Sequence, residues 1–221
     1  MSVERRPTRY RIEDEAPGVG LKEQGTVRTS MKERQWELRE NAILDAATEL
    51  LNTKGFNSMT LEDITEAIGI SRPTLYLHFK SKEDVVANIV IRNLCDFGEM
   101  MAQLDPNLSP GNRLRAFMHM VIERRLSKSK LAMYDLTRIK MMHGHEMSAL
   151  RNAECKFSES LAGLVREAQA SGEVWDGVSA EMLVVIVSGF VKNLEIDTLV
   201  AEGKMTKEEI EQAALRLIFR D

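Results

Sequence analysis

The sequence predicts an all-α protein, and three observations carry that prediction. From Trp36 onward apolar residues recur at spacings of three and four, the stripe of an amphipathic helix. A hydroxyl residue repeatedly stands three positions ahead of an acid, the pattern of a capping box that satisfies the free N–H groups of a helix start. No stretch alternates polar and apolar side chains long enough to demand a sheet.

Residues 1–34 hold Pro7, Pro17, Gly18, Gly20 and Gly25 among mixed charges, with too few large apolar side chains to offset the entropy of ordering; they read as a flexible arm. Trp36, Ile43, Leu44, Ala47, Leu50 and Leu51 then give a helix over 35–54 that stops at Gly55. Thr60, ahead of Leu61-Glu62-Asp63, starts a short helix over 61–68, and Gly69 ends it. Ser71 starts another over 72–79, and Ser81, ahead of Lys82-Glu83-Asp84, a long one over 82–103 that ends before Asp105-Pro106. Ser109-Pro110 opens a helix over 110–126 with proline at its first position. Further helices are expected over 130–142, over 146–171 up to Gly172, and over 179–202 up to Gly203. Thr206, ahead of Lys207-Glu208-Glu209, starts the last, over 207–219.

Composition narrows the function. Two cysteines, Cys95 and Cys155, are too few for a disulfide scaffold and form no Cys-x-x-Cys pair, so no metal is expected and a reducing cytoplasm fits best. The start of the chain lacks an apolar leader segment. The most apolar run, 182–187, is broken by Ser188, Gly189 and Lys192, well short of the roughly 18 to 20 residues that span a bilayer, so no membrane partner is expected. No nucleophile, base and orienting group emerge together, which speaks against an enzyme.

The informative stretch is 60–79, where two short helices meet across Gly69-Ile70-Ser71 with helix-turn-helix spacing. Leu61, Ile64, Ala67 and Ile68 give the first an apolar face, Ile70 fills the turn, and Leu75 and Phe79 anchor the second. Gly69 supplies positive φ where the chain turns sharply. Left outside on the second helix are Arg72, Pro73, Thr74, Tyr76, Leu77, His78 and Lys80. These suit a DNA groove, because a guanidinium pairs bidentately with guanine, apolar atoms meet thymine methyls, and hydroxyls, imidazole and ammonium hold phosphates.

Here the chain resembles the DNA-binding domain of the tetracycline-repressor (TetR) family of bacterial regulators. The residues that carry the likeness are Gly55-Phe56, Met59-Thr60, Ile64, Gly69-Ile70-Ser71, Thr74-Leu75-Tyr76, His78-Phe79 and Ser81-Lys82-Glu83, and it extends from Ala42 to about Ile91. It implies three N-terminal helices for DNA (35–81) followed by a helical domain (82–221) for a small-molecule effector and for dimerisation. It also implies that Arg72, Pro73 and Leu77 face base edges, while Thr60, Thr74, Tyr76, His78 and Lys82 hold the backbone; Ser71 and Lys80 are further DNA-binding candidates. Helix two carries Glu62, Asp63 and Glu66 where some members place a base-contacting cation, and these acids are not assigned to DNA. Tyr76 has a second reading as a packing residue.

Net charge is -4, from 30 basic and 34 acidic side chains, which excludes general coating of a polyanion. Even 35–80 is acidic, with 4 basic and 7 acidic residues, yet 71–82 holds Arg72, Lys80 and Lys82 and no acid. A small phosphate footprint and weak non-specific binding follow. In the arm, Arg5, Arg6, Arg9 and Arg11 suit a minor groove, but Glu4, Glu13, Asp14 and Glu15 dilute them, which favours a solvated tail.

Beyond residue 82 the chemistry is sparse. By placement, Phe97, Met101, Met118, Tyr134, Arg138, Met141 and Trp175 are candidates for an effector pocket, with core filling as the plainer role of the methionines. His143-Gly144-His145 near Cys155 reads as an interhelix loop rather than a metal sensor, since positions two apart share no helical face. Met182, Val185, Ile186, Phe190 and Leu194, with Ile210, Ala214 and Leu217 on the last helix, offer more apolar surface than one core needs; they are candidates for the seam of a two-fold homodimer. The function expected is a sequence-specific transcriptional regulator, a repressor released by an effector from a palindromic operator. The alternatives are an activator of the same family and a helical ligand-binding or adaptor protein without DNA binding.

Overall fold

A computed structural model of the chain describes residues 31–128, 145–191 and 195–219. The chain divides into two compact units, one ending at Ile89 and the other beginning at Val90. Every described element is a helix apart from turns and one antiparallel bridge between Val174 and Phe219.

In the first unit, α1 (Met31–Ser58) buries Ile43, Leu44, Ala47 and Leu51 along one face. It begins earlier than expected, so residues 31–34, assigned to the arm, are helical. Gly55, at φ 76° and ψ 164°, interrupts it where the sequence put its end, and a last turn follows. α2 (Leu61–Ile68) starts in a complete capping box: the Asp63 N–H donates to Thr60 Oγ1 at 3.1 Å, and the Thr60 N–H to the Asp63 carboxylate at 2.9 Å. Gly69 closes it in the left-handed conformation, φ 68°, with the Ile70 N–H returning to the Thr65 carbonyl. α3 (Arg72–His78) is capped by Ser71, whose Oγ accepts from the Thr74 N–H at 3.3 Å.

α4 (Lys82–Ala102) begins in this unit and continues into the second. Its first turns belong with α1 to α3 because Val85, Val86 and Ile89 are buried, as are Met59, Ile64, Leu75 and Phe79. The first unit therefore runs past residue 81, the boundary placed by sequence. Buried Asp84 secures the α3–α4 turn by accepting from the Lys80 N–H at 2.8 Å, while its own N–H donates to Ser81 Oγ at 3.0 Å.

The second unit contains α5 (Pro110–Lys128), α6 (His145–Ala170), α7 (Ala180–Val191), α8 (Glu195–Ala201) and α9 (Lys207–Arg216). Its core joins Leu114, Phe117, Met118 and Val121 of α5 to Leu161, Leu164 and Val165 of α6, Leu183 and Val184 of α7, and Ala214 and Ile218. The expected helix 130–142 lies outside the described residues, apart from which the helix over 179–202 corresponds to α7 and α8. α9 ends at Arg216 instead of 219, because Phe219 pairs with Val174 and the Trp175 N–H donates to the Ile218 carbonyl at 3.0 Å.

One carboxylate staples the α6–α7 turn to the start of α5. Glu173 accepts from Ser109 Oγ at 2.6 Å, from the Gly111 N–H at 3.2 Å and from Ser171 Oγ at 2.7 Å. These hydrogen bonds, that of Ser109 first, lower its pKa below the ordinary value. Gly111 is required by the closeness of the pair: a Cβ there would lie 2.6 Å from that of Glu173.

Candidate nucleic-acid interface

The outer face of α3 follows from what its inner face buries. Leu75 and Phe79, four apart, are inside the first unit. Arg72, Pro73, Tyr76 and Leu77 therefore form one exposed stripe at helical spacing, and exposed Lys80 follows in the turn after the helix. Tyr76 is 54% and Leu77 70% exposed, so the packing reading of Tyr76 does not describe it. An exposed leucine and tyrosine beside an arginine on a short, tightly capped helix present apolar, hydroxyl and guanidinium groups together, the set that reads base edges and holds phosphates.

Three hydroxyls lie close by in sequence and are ordered by capping. Thr60 is exposed and uses its oxygen as an acceptor for α2, which leaves its O–H free of that bond as a donor. Exposed Ser71 and half-buried Thr74 bond to each other at 2.8 Å.

Two expected phosphate contacts are placed otherwise. The His78 ring centroid lies 3.9 Å from that of Trp36, and both imidazole nitrogens are buried without a hydrogen-bond partner. Burial, and then the charge of Arg39, hold its pKa down to about 4, so the half-buried ring is neutral at neutral pH. Trp36 also hydrogen-bonds Glu40, whose carboxyl is pushed up to about 7 by burial first and by Asp84 and Glu37 next. The second case is Lys82. Its Nζ donates to the carbonyls of Phe56 at 2.8 Å and Met59 at 3.0 Å, and it sits 4.4 Å from the centroid of the Phe56 ring. Those carbonyls belong to the last turn of α1 and the residue that follows it, so the ammonium ties the end of α1 to α4.

Sequence reasoning missed a partner of Arg72. Its guanidinium pairs with Glu62 on α2, one of the acids left unassigned. The signal available was positional: Glu62 lies off the apolar face of α2, on a helix joined to an exposed arginine by a three-residue turn. Asp63 beside it pairs with Lys54 at 2.7 Å, which lowers its pKa well below the usual carboxylate range.

In the second unit, half-buried Phe97 and Met101 pack against the cluster that contains buried Met118. Phe157 links Phe97 and Phe117, at 6.0 and 6.2 Å between ring centroids. Trp175 is exposed and is not part of this cluster, because its indole lies over Gly177 on the α6–α7 turn. Tyr134, Arg138 and Met141 lie outside the described residues, as does His143; His145 is the first residue of α6. Cys155 is exposed, and half-buried Cys95 has its pKa raised by burial and by Asp96 and Glu99. Among the described residues no group of three or more His, Cys, Asp or Glu is placed to hold a metal ion, and no helix is long and apolar enough to cross a membrane.

The apolar surplus divides. Met182, Val185 and Ile186 form an exposed face of α7, and Leu217 is exposed after α9. Ile210 and Ala214, expected on the dimer seam, are each only 2% exposed and fill the core of the chain itself. The Phe190 side chain and Leu194 lie outside the described residues.

Residues 43–89 match the family model of bacterial regulatory proteins of the tetR family. The HTH-type transcriptional regulator EthR of Mycolicibacterium smegmatis is 46% identical over 52 residues, which cover 24% of each chain. The HTH-type transcriptional regulator UidR of Escherichia coli K12 is 25% identical over 179 residues, 75% of this chain and 86% of that one. Among solved structures, that of AibR in complex with isovaleryl coenzyme A and operator DNA superposes with a TM-score of 0.66 at 23% identity, over 82% of this chain and 98% of that one, and so shares the fold.

Proposed function

Starting from a chain that belongs to the tetR family of bacterial regulatory proteins and is a DNA-binding transcriptional regulator, we propose that it is a repressor released from a palindromic operator by a small-molecule effector. The observation that carries this reading is the outward stripe of α3, Arg72, Pro73, Tyr76 and Leu77, with Lys80 in the turn after it, in a stretch from 71 to 82 without an acid. Arg72, Pro73 and Leu77 read bases, while Thr60, Ser71, Thr74, Tyr76 and Lys80 hold the sugar-phosphate backbone.

Residues from 90 onward serve the effector and the dimer. The cluster of Phe97, Met101 and Met118 with Phe117 and Phe157 is apolar and rich in adaptable thioethers, which supports an effector with an apolar part. AibR, with the same fold, is found with isovaleryl coenzyme A and operator DNA, which supports one chain serving both kinds of partner. The exposed face of Met182, Val185 and Ile186, with Leu217, supports a two-fold homodimer, and a two-fold dimer matches a palindromic site. In this reading the protein works in the cytoplasm, and effector binding favours a dimer whose recognition helices no longer stand about 34 Å apart.

The test is selection from a random DNA pool at several salt concentrations, followed by a promoter-reporter assay with and without added metabolites. Sequence-selective enrichment and reporter repression relieved by a metabolite are expected. Absence of selective enrichment removes the operator reading, and a reporter that rises with the protein makes it an activator.

A further inference from the structure

The first residue of α3 is held by an acid of the preceding helix, and neither the outward stripe nor the family likeness gives that acid a role. Resting on the operator-binding reading above, we propose that Glu62 is a positioning residue for base recognition. Its carboxylate holds the Arg72 guanidinium for one guanine in each half-site and keeps it off the phosphates.

Arg72 opens α3 and so stands at the positive end of that helix's dipole, a position that disfavours a cation. Left alone, its long side chain would turn to whichever phosphate lay in reach, a contact that carries no sequence information. Glu62 stands in the first turn of α2, where the dipole favours an anion. Local chemistry fixes the two stations: the Thr60–Asp63 capping box sets the start of α2, Gly69 at φ 68° sets the turn, and Ser71 caps α3.

The ion pair engages one terminal nitrogen, Nη2, of a planar group with five N–H donors. Donors therefore remain for O6 and N7 of guanine. The carboxylate cannot follow the arginine to a phosphate without meeting a like charge, but in the groove a cytosine N4 amine can donate to it. The side chains are 59% and 42% exposed, so the pair is open to a ligand and contributes little to folding.

The experiment measures binding to an operator library, each position varied in turn, for wild type, Glu62→Gln, Glu62→Asp and Arg72→Ala across a salt series. Glu62→Gln is expected to lose about tenfold of the preference for guanine at one position per half-site, the position at which Arg72→Ala also loses it. Its binding to unrelated DNA tightens, and the slope of log affinity against log salt steepens by about 0.9 as Arg72 gains a phosphate. Glu62→Asp keeps the charge but shortens the reach, so it loses the same preference without tightening non-specific binding. Uniformly stronger binding by Glu62→Gln with the preference at that position intact overturns the proposal, leaving Glu62 as a repelling charge only. A wild-type chain that enriches no sequence overturns the operator reading itself, and the proposal with it.

Discussion

The imidazole of His78 lies tilted against the indole of Trp36, ring centroids 3.9 Å apart, joining the last residue of α3 to the early turns of α1. The contact supports α3 from beneath and takes the imidazole nitrogens of His78 out of solvent.

Protonation of His78 should cost the first unit stability as pH falls, against an opposite gain from Glu40, whose carboxyl, raised to about 7, takes its proton more readily in the folded chain. The folded pKa of His78, about 4, lies below the ordinary 6.5, so its contribution is complete above pH 6.5 and is lost as pH falls through 4, where the unfolded chain has already taken the proton. Because neither ring nitrogen has a partner, His78→Phe sacrifices no hydrogen bond. It should keep Tm at pH 7, raise Tm relative to wild type between pH 6.5 and 4 in thermal melts, and leave operator affinity unchanged. Weaker operator binding with a shallower salt slope, at unaltered Tm, would instead restore the imidazole to a phosphate.

Lys82→Ala should act on stability before it acts on DNA. It strips charge-assisted hydrogen bonds from the Phe56 and Met59 carbonyls, at a cost of about 2 to 3 kcal/mol. Denaturant titration should show the loss. At temperatures where the variant is folded, its salt slope for DNA should match wild type; a slope lower by about one would assign the ammonium to a phosphate.

Gly111→Ala should loosen the staple between α5 and the α6–α7 turn. The new methyl would meet Glu173 Cβ at 2.6 Å, and that atom cannot swing aside as a side-chain tip can. A penalty of about 1 to 3 kcal/mol, as for other overpacked sites, is expected in calorimetry. Wild-type stability would mean that the turn can shift without losing the Ser109 and Gly111 bonds.

Val185 and Ile210 should respond differently although both are apolar and both were candidates for the seam. Val185 is 63% exposed and Ile210 2%. Val185→Glu should give a folded monomer by light scattering, whereas Ile210→Ala should lower stability by about 2 to 5 kcal/mol through a cavity. A dimer that survives Val185→Glu would move the interface off this face of α7.

The helix starts were legible because capping is local. Thr60, Ser71, Ser81 and Thr206 each act on a backbone group three residues ahead, and the structure places a helix after every one. The stops at Gly69 and Gly203 were legible for the same reason, since positive φ at a helix end favours glycine. The end of α9 was not, because Phe219 leaves the helix to pair with Val174, a residue far away in sequence.

The same division runs through the candidate interface. Leu75 and Phe79 identified the buried side of α3, so the sequence by itself determined that Arg72, Pro73 and Leu77 face outward and that the chain carries a helix-turn-helix unit, while the exposure of Tyr76 was left to the structure. It could not determine that His78 turns inward to Trp36, that Lys82 spends its charge on the carbonyls at the end of α1, or that Arg72 meets Glu62. It also gave Val185 and Ile210 equal claims to the surface. Helical spacing orders side chains around one axis. Burial and ion pairing depend on what the neighbouring helices bring to that axis, and only the tertiary structure decides it.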